Sequence, residues 1–114
     1  MDTDSADKLD RILYAMTTLK SRTMMCIGRD DDVNILEVHL AAFNLACRSL
    51  DFWYGSEIHK QVISESGWES SAQGIAPGMR KRGLSEKEIV SALIDVEILK
   101  WEKMGKELEI ASDS

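Results

Sequence analysis

The chain has two histidines, and each follows an acid by two positions, in Glu37-Val38-His39 and Glu57-Ile58-His59. Imidazole beside carboxylate is the raw material of a metal site, but the spacing is wrong for one. Side chains two apart on a helix leave on different faces. A helical di-iron site needs Glu-x-x-His, with both ligands on one face, supplied twice. Structural zinc needs four close Cys or His ligands, and none of these residues cluster in sequence. No metal or other cofactor is therefore expected. His39 should flank the core and His59 should lie on the surface.

The two cysteines are Cys26 and Cys47. If the helices on either side of Arg29-Asp30-Asp31-Asp32 pair antiparallel, Cys26 sits beside the turn and Cys47 lies ~20 Å along the second helix. A disulfide needs Cα atoms within ~7 Å, so both should be free, small, buried hydrophobes. Two unpaired thiols suit a reducing compartment. Residues 1–7 carry three aspartates and no base, unlike the positively charged start of an export leader. The expected location is the cytoplasm. No run approaches the ~18 apolar residues of a membrane span.

Glu97 is the one carboxylate on an apolar helical stripe, between Val90, Leu93, Trp101 and Met104. A buried carboxylate is costly unless it is paired or protonated. One use would be a tuned acid or base in a cleft. The other is a structural partner for Arg48, Asn44 or a backbone group, of the kind that fixes helix register. No nucleophile or strand–turn–helix elbow accompanies it, so the structural use is expected. Gly67, Gly74, Gly78 and Gly83 fit neither phosphate-binding glycine pattern, and no strand precedes them.

Arg80-Lys81-Arg82 is the single basic cluster. Three bases against Glu69 leave residues 67–84 positive in a chain of net charge −6 and pI near 4.9. The turn at 79–83, with Trp68 nearby, could meet a phosphate backbone. A helix-turn-helix use is disfavoured, because the following helix opens Glu86-Lys87-Glu88 and would push carboxylates at the duplex. The acidic groups Asp30, Asp31, Asp32, Glu102, Glu107 and Glu109 could instead steer onto a basic protein. Phe52, Trp53 and Tyr54 are consecutive and cannot share one face of a helix. With Tyr14, Met25 and Trp68 they make an apolar surplus of the kind found at interfaces.

These residues are carried by elements legible from periodicity and punctuation. Leu9, Ile12, Met16, Leu19, Thr23 and Cys26 recur every three or four positions, which predicts a helix over residues 6–27, capped by Asp4 or Ser5 and ended by Gly28. A second helix over 33–54, capped by Asp32, has one face of Leu36, Leu40, Phe43, Cys47, Leu50 and Tyr54. Its other face holds Val38, Ala42, Leu45 and Trp53. A helix apolar on two sides is packed on two sides, so this helix is expected at the centre. A short helix over 57–65 is followed by an irregular stretch with one turn starting at Pro77. Ser85 and Glu88 form a capping box, flanked by Leu84 and Ile89 as a hydrophobic staple, and open a last helix from Glu86 to about Ile110.

The fold expected is all-α: a small bundle of three long helices, with a short helix and a loop before the last. It should form a single domain over 1–114, fraying at 1–4 and 111–114. With 44% hydrophobic and 30% charged residues, the chain is of ordinary globular composition. The function expected is an acidic cytoplasmic interaction module, such as an inhibitor, immunity or chaperone-like factor or a small complex subunit. It would act on another protein and form a homodimer through its surplus aromatics. A nucleic-acid-associated regulator using 79–83 is the alternative, and an enzyme using Glu97 ranks last.

Overall fold

The computed structural model describes residues 2–113, with side chains to Glu109. Their helices run α1 (Thr3–Ser21), α2 (Thr23–Ile27), α3 (Val33–Ser49), α4 (Gly55–Ser66), α5 (Ala76–Lys81) and α6 (Glu86–Asp113). Among the described residues there is no strand, only one bridge between Ser71 and Gly74. The protein is an all-α bundle of long and short helices.

Each helix start has a local cause. The Asp2 carboxylate accepts the Ser5 N–H at 2.8 Å and opens α1 at Thr3, ahead of the expected Asp4 or Ser5 cap. Asp32 accepts the Ile35 N–H at 3.0 Å and opens α3. Pro77 lies in the first turn of α5, where its missing N–H costs nothing. The capping box forms as read: Ser85 Oγ accepts the Glu88 N–H at 3.2 Å, and Glu88 Oε1 accepts the Ser85 N–H at 2.9 Å. The helix it opens reaches Asp113; Met1 and Ser114, at the ends expected to fray, lie outside the described residues.

Two expected helices are shorter than their periodicity. The first breaks at Arg22, whose backbone leaves the helical region. Thr23 Oγ1 donates to the Leu19 carbonyl at 2.7 Å and holds the break. The second ends at Ser49, five residues before Tyr54. Asp51 takes a left-handed conformation at φ 57°, which aspartate tolerates better than most residues. Phe52, Trp53 and Tyr54 then run outside any helix, so all three can turn towards the core. Gly55, expected to end that helix, opens α4 instead.

The central helix is α6, not the helix beginning at Val33. Helices α1, α3, α4 and α5 all pack on α6. Ile89, Val90, Ile94 and Trp101 of α6 are essentially inaccessible, with Leu36 of α3 and Met79 of α5. α1 approaches so closely that a Cβ at Gly105 would lie 2.6 Å from Leu9 Cδ2. The second apolar face of α3 meets solvent, with Val38 69% and Leu45 63% exposed. Periodicity reports that a face is apolar; it does not report what covers it.

Candidate functional site

Glu97 lies on the buried face of α6 and its carboxylate is surrounded by donors. Asn44 Nδ2 donates to Oε2 at 2.9 Å, the Tyr54 hydroxyl donates to Oε2 at 3.1 Å, and Lys100 Nζ donates to Oε1 at 3.4 Å. Asn44 also donates to the Leu40 carbonyl and accepts the Trp53 indole N–H. One network thus ties α3, the 52–54 segment and α6. Of the expected partners Asn44 is present; Arg48 is not, because its guanidinium lies 4.9 Å from the Trp53 ring centre. Lys100, itself buried, escaped sequence inspection. Its signal was the spacing of three from Glu97, which puts an ammonium on the same face. Burial and the Glu97 charge push the Tyr54 phenol far above its ordinary range. Next to the network, a cavity of about 140 Å³ has Glu37, His59, Ser70 and Lys100 on its wall. Burial, and then Lys100, push the His59 imidazole down. Glu97 is not on that wall, so its carboxylate faces partners rather than open space.

The basic turn is occupied locally. Arg80 pairs with Glu86 at 2.9 Å and Lys81 with Glu69 at 3.5 Å. Arg82 donates to the Gly67 carbonyl at 2.9 Å and lies 4.9 Å from the Trp68 ring centre. The acidic run is similarly used: Asp30 pairs with Lys87, Asp31 with Arg29, and Asp32 caps α3.

The aromatic run turns inward, which corrects its assignment to an outer face. Phe52 stacks on Trp101 at 6.3 Å, and Tyr54 and Phe43 meet the same indole edge-on at 5.0 and 6.3 Å. Tyr54 is buried and Trp53 lies half-buried against it. Trp68 is half-buried, whereas Tyr14 and Met25 are exposed as expected. Cys47 is half-buried and its thiol is pushed up by burial and by Glu97; Cys26 is exposed, contrary to expectation. Both are free.

The most apolar opening lies where no single stretch of sequence marks it. Helices α1 and α3 both rest on α6. The groove between them holds a cavity of about 330 Å³ lined by Ile12, Phe43, Ala46, Cys47, Leu50 and Phe52, with Lys8 and Arg11 at its edge. A second cavity of about 210 Å³ shares Phe43 with it and is lined also by Met16, Leu19, His39 and Leu40. Behind Phe43 and Phe52 lies Trp101, whose buried indole N–H has no hydrogen-bond partner. Among the described residues no cluster of three or more His, Cys, Asp or Glu could hold a metal ion, and no helix is long and apolar enough to cross a membrane. A comparison with protein-family models, curated proteins and solved structures finds no match to this chain.

Proposed function

We propose that this is a small acidic interaction module of the cytoplasm, which binds another protein by taking the apolar stripe of a partner helix into the α1–α3 groove. The observation that carries this reading is the groove itself. Its larger cavity is lined almost wholly by apolar side chains, with Lys8 and Arg11 beside them. Amphipathic helices dock in such grooves through side chains spaced three and four apart. Lys8 and Arg11 favour an acid next to the partner's apolar stripe, although Asp4 and Asp7 pair with them in the free protein. No acid lines the cavity beside Lys8 and Arg11, so this reading favours an acidic partner segment where the acids at 30–32 would favour a basic one. The two free cysteines suit a reducing compartment. An inhibitor, immunity or chaperone-like factor, or a small subunit of a complex, would work in this way without chemistry of its own.

The test is photo-crosslinking in cells, with a benzophenone amino acid placed at Ala46 in the groove or at the exposed Gln61 of α4 as control. The expected result is an adduct of one defined protein at Ala46, absent at Gln61 and lost when Ile12→Arg blocks the groove. Equal labelling at both positions, or no adduct at Ala46, would overturn the reading.

A further inference from the structure

The cavity of about 140 Å³ beside the Glu97 network is built differently from the groove. Ile75, Leu93 and Lys100 are buried on its inner side, and Glu37 is half-buried in its wall. His59, Ser70 and Gly74 are exposed at its mouth. Ser71 and Gly74 exchange both backbone hydrogen bonds, at 3.1 and 3.0 Å, and hold the turn on that side. A Cβ at Gly74 would lie 3.9 Å from Glu37 Oε2, so the carboxylate is next to the mouth. Two charged groups in this wall are incompletely answered. Among the described residues Glu37 has no ion pair and no side-chain hydrogen bond, and the bases near it are taken, Arg80 by Glu86 and Lys100 by Glu97. The Lys100 ammonium has three donors. One acceptor reaches it, Glu97 Oε1 at a long 3.4 Å, with the Tyr54 ring centre 5.6 Å away.

We propose that this cavity binds a small organic ammonium group that carries an acceptor oxygen two carbons from its nitrogen, with the ammonium on Glu37 and the oxygen on Lys100. Charge selects the ammonium. Glu97 and Lys100 cancel, and Glu37 leaves one negative charge over, so a cation is drawn in and an anion repelled. Water on Lys100 would answer its donors but give Glu37 no counter-charge, and a half-buried carboxylate is costly without one. The remaining donors of Lys100 select the oxygen, because a buried ammonium needs acceptors. Size sets the spacing. At ~30 Å³ for each water-sized group, the cavity takes about four or five non-hydrogen atoms, which limits the chain between nitrogen and oxygen to a short one. Ile75 and Leu93 supply apolar surface for its methylenes. Mostly apolar walls with a few convergent polar groups are what small-molecule sites are made of. A free amino alcohol has this N–C–C–O pattern, and so does the amino end of a peptide, so two sources share the chemistry. The cavity has no lining residue in common with the α1–α3 groove, so this proposal and the proposed function can fail independently.

Titration of the isotope-labelled full chain with ethanolamine, followed by NMR at fixed pH and ionic strength, tests the proposal. The Ser70 and Gly74 amides should shift saturably, with a dissociation constant in the millimolar range, because a ligand of so few atoms binds weakly. Glu37→Gln should weaken binding at least tenfold with helical content unchanged, since the Glu37 carboxylate makes no contact that holds the fold. Propylamine, which lacks the oxygen, should bind several-fold more weakly than ethanolamine, and acetate should not bind. Triglycine amide separates the two sources. Tighter binding than ethanolamine assigns the site to the amino end of a chain, and weaker binding assigns it to a free amine. No saturable shift at ~50 mM ethanolamine, well above a millimolar dissociation constant, would overturn the proposal. So would unchanged binding by Glu37→Gln, propylamine binding as tightly as ethanolamine, or acetate binding at the same amides.

Discussion

The Glu97 carboxylate joins α3, the 52–54 segment and α6 in one hydrogen-bonded network. Its place on an apolar stripe announces burial; its partners come from three separate segments. The consequence can be measured. Glu97→Gln should cost ~3–5 kcal/mol in urea unfolding, because it leaves the Lys100 ammonium buried without a counter-charge. Glu97→Gln combined with Lys100→Met should recover most of that loss, because replacing both members of a buried pair is often near neutral. Tyr54 makes a second, pH-dependent prediction. Its phenol ionises near 10.0 in the unfolded chain and much higher in the folded one. A group whose folded pKa is raised contributes its full stabilisation below the unfolded value and loses it as pH rises further. Unfolding midpoints should therefore fall above about pH 10. Tyr54→Phe should lower them at neutral pH, through loss of a hydrogen bond to a carboxylate worth ~1.5–3 kcal/mol. The gap between the two proteins should narrow above pH 10.

At the scale of elements, starts were far more legible than ends. A cap is a local event within four residues, and Asp32 and Ser85 behave as local chemistry dictates. Ends depend on what the chain must reach next. The helix from Val33 could have continued through Tyr54 on propensity alone. It stops at Ser49, and Phe52 and Tyr54 then pack on Trp101 while Trp53 lies against Tyr54, which three faces of a helix would not allow. Gly78 is a case where an element is fixed by its neighbour. A Cβ there would lie 2.9 Å from the Glu69 carbonyl oxygen and equally near its Cβ. A helical Gly→Ala change ordinarily gains up to ~1 kcal/mol. Gly78→Ala should instead destabilise by ~1–3 kcal/mol, as forced overpacking does. A rise in the thermal midpoint would show that α5 can move away from the 67–75 segment.

At the scale of the whole molecule, the question is which helix lies inside. The burial of α6 predicts that Ile94→Ala costs ~2–5 kcal/mol. Val38→Ala, at an exposed position, should change stability by less than ~0.5 kcal/mol. Similar losses at the two sites would return α3 to the centre. The same arrangement accounts for the groove. With α6 as the common support, α1 and α3 both lie against it, and the apolar slot between them stays open.

The helical class, the polar turn at 29–32, the irregular stretch before the last helix and the capped start of α6 all follow from periodicity and from chemistry within a few residues. They could be stated from the amino-acid order alone because the interactions that set them are local. So could the burial of Glu97, since a carboxylate among Val90, Leu93, Trp101 and Met104 shares their face wherever that helix docks. The central position of α6, the inward turn of Phe52–Tyr54, the pairing of Glu97 with Tyr54, and the α1–α3 groove could not. Each depends on which apolar faces find each other across the chain. Both α3 and α6 carry more apolar surface than one neighbour can cover. Sequence periodicity gives that surface without its partner, and only the competition among faces for the same core leaves α6 enclosed and α3 with one side exposed.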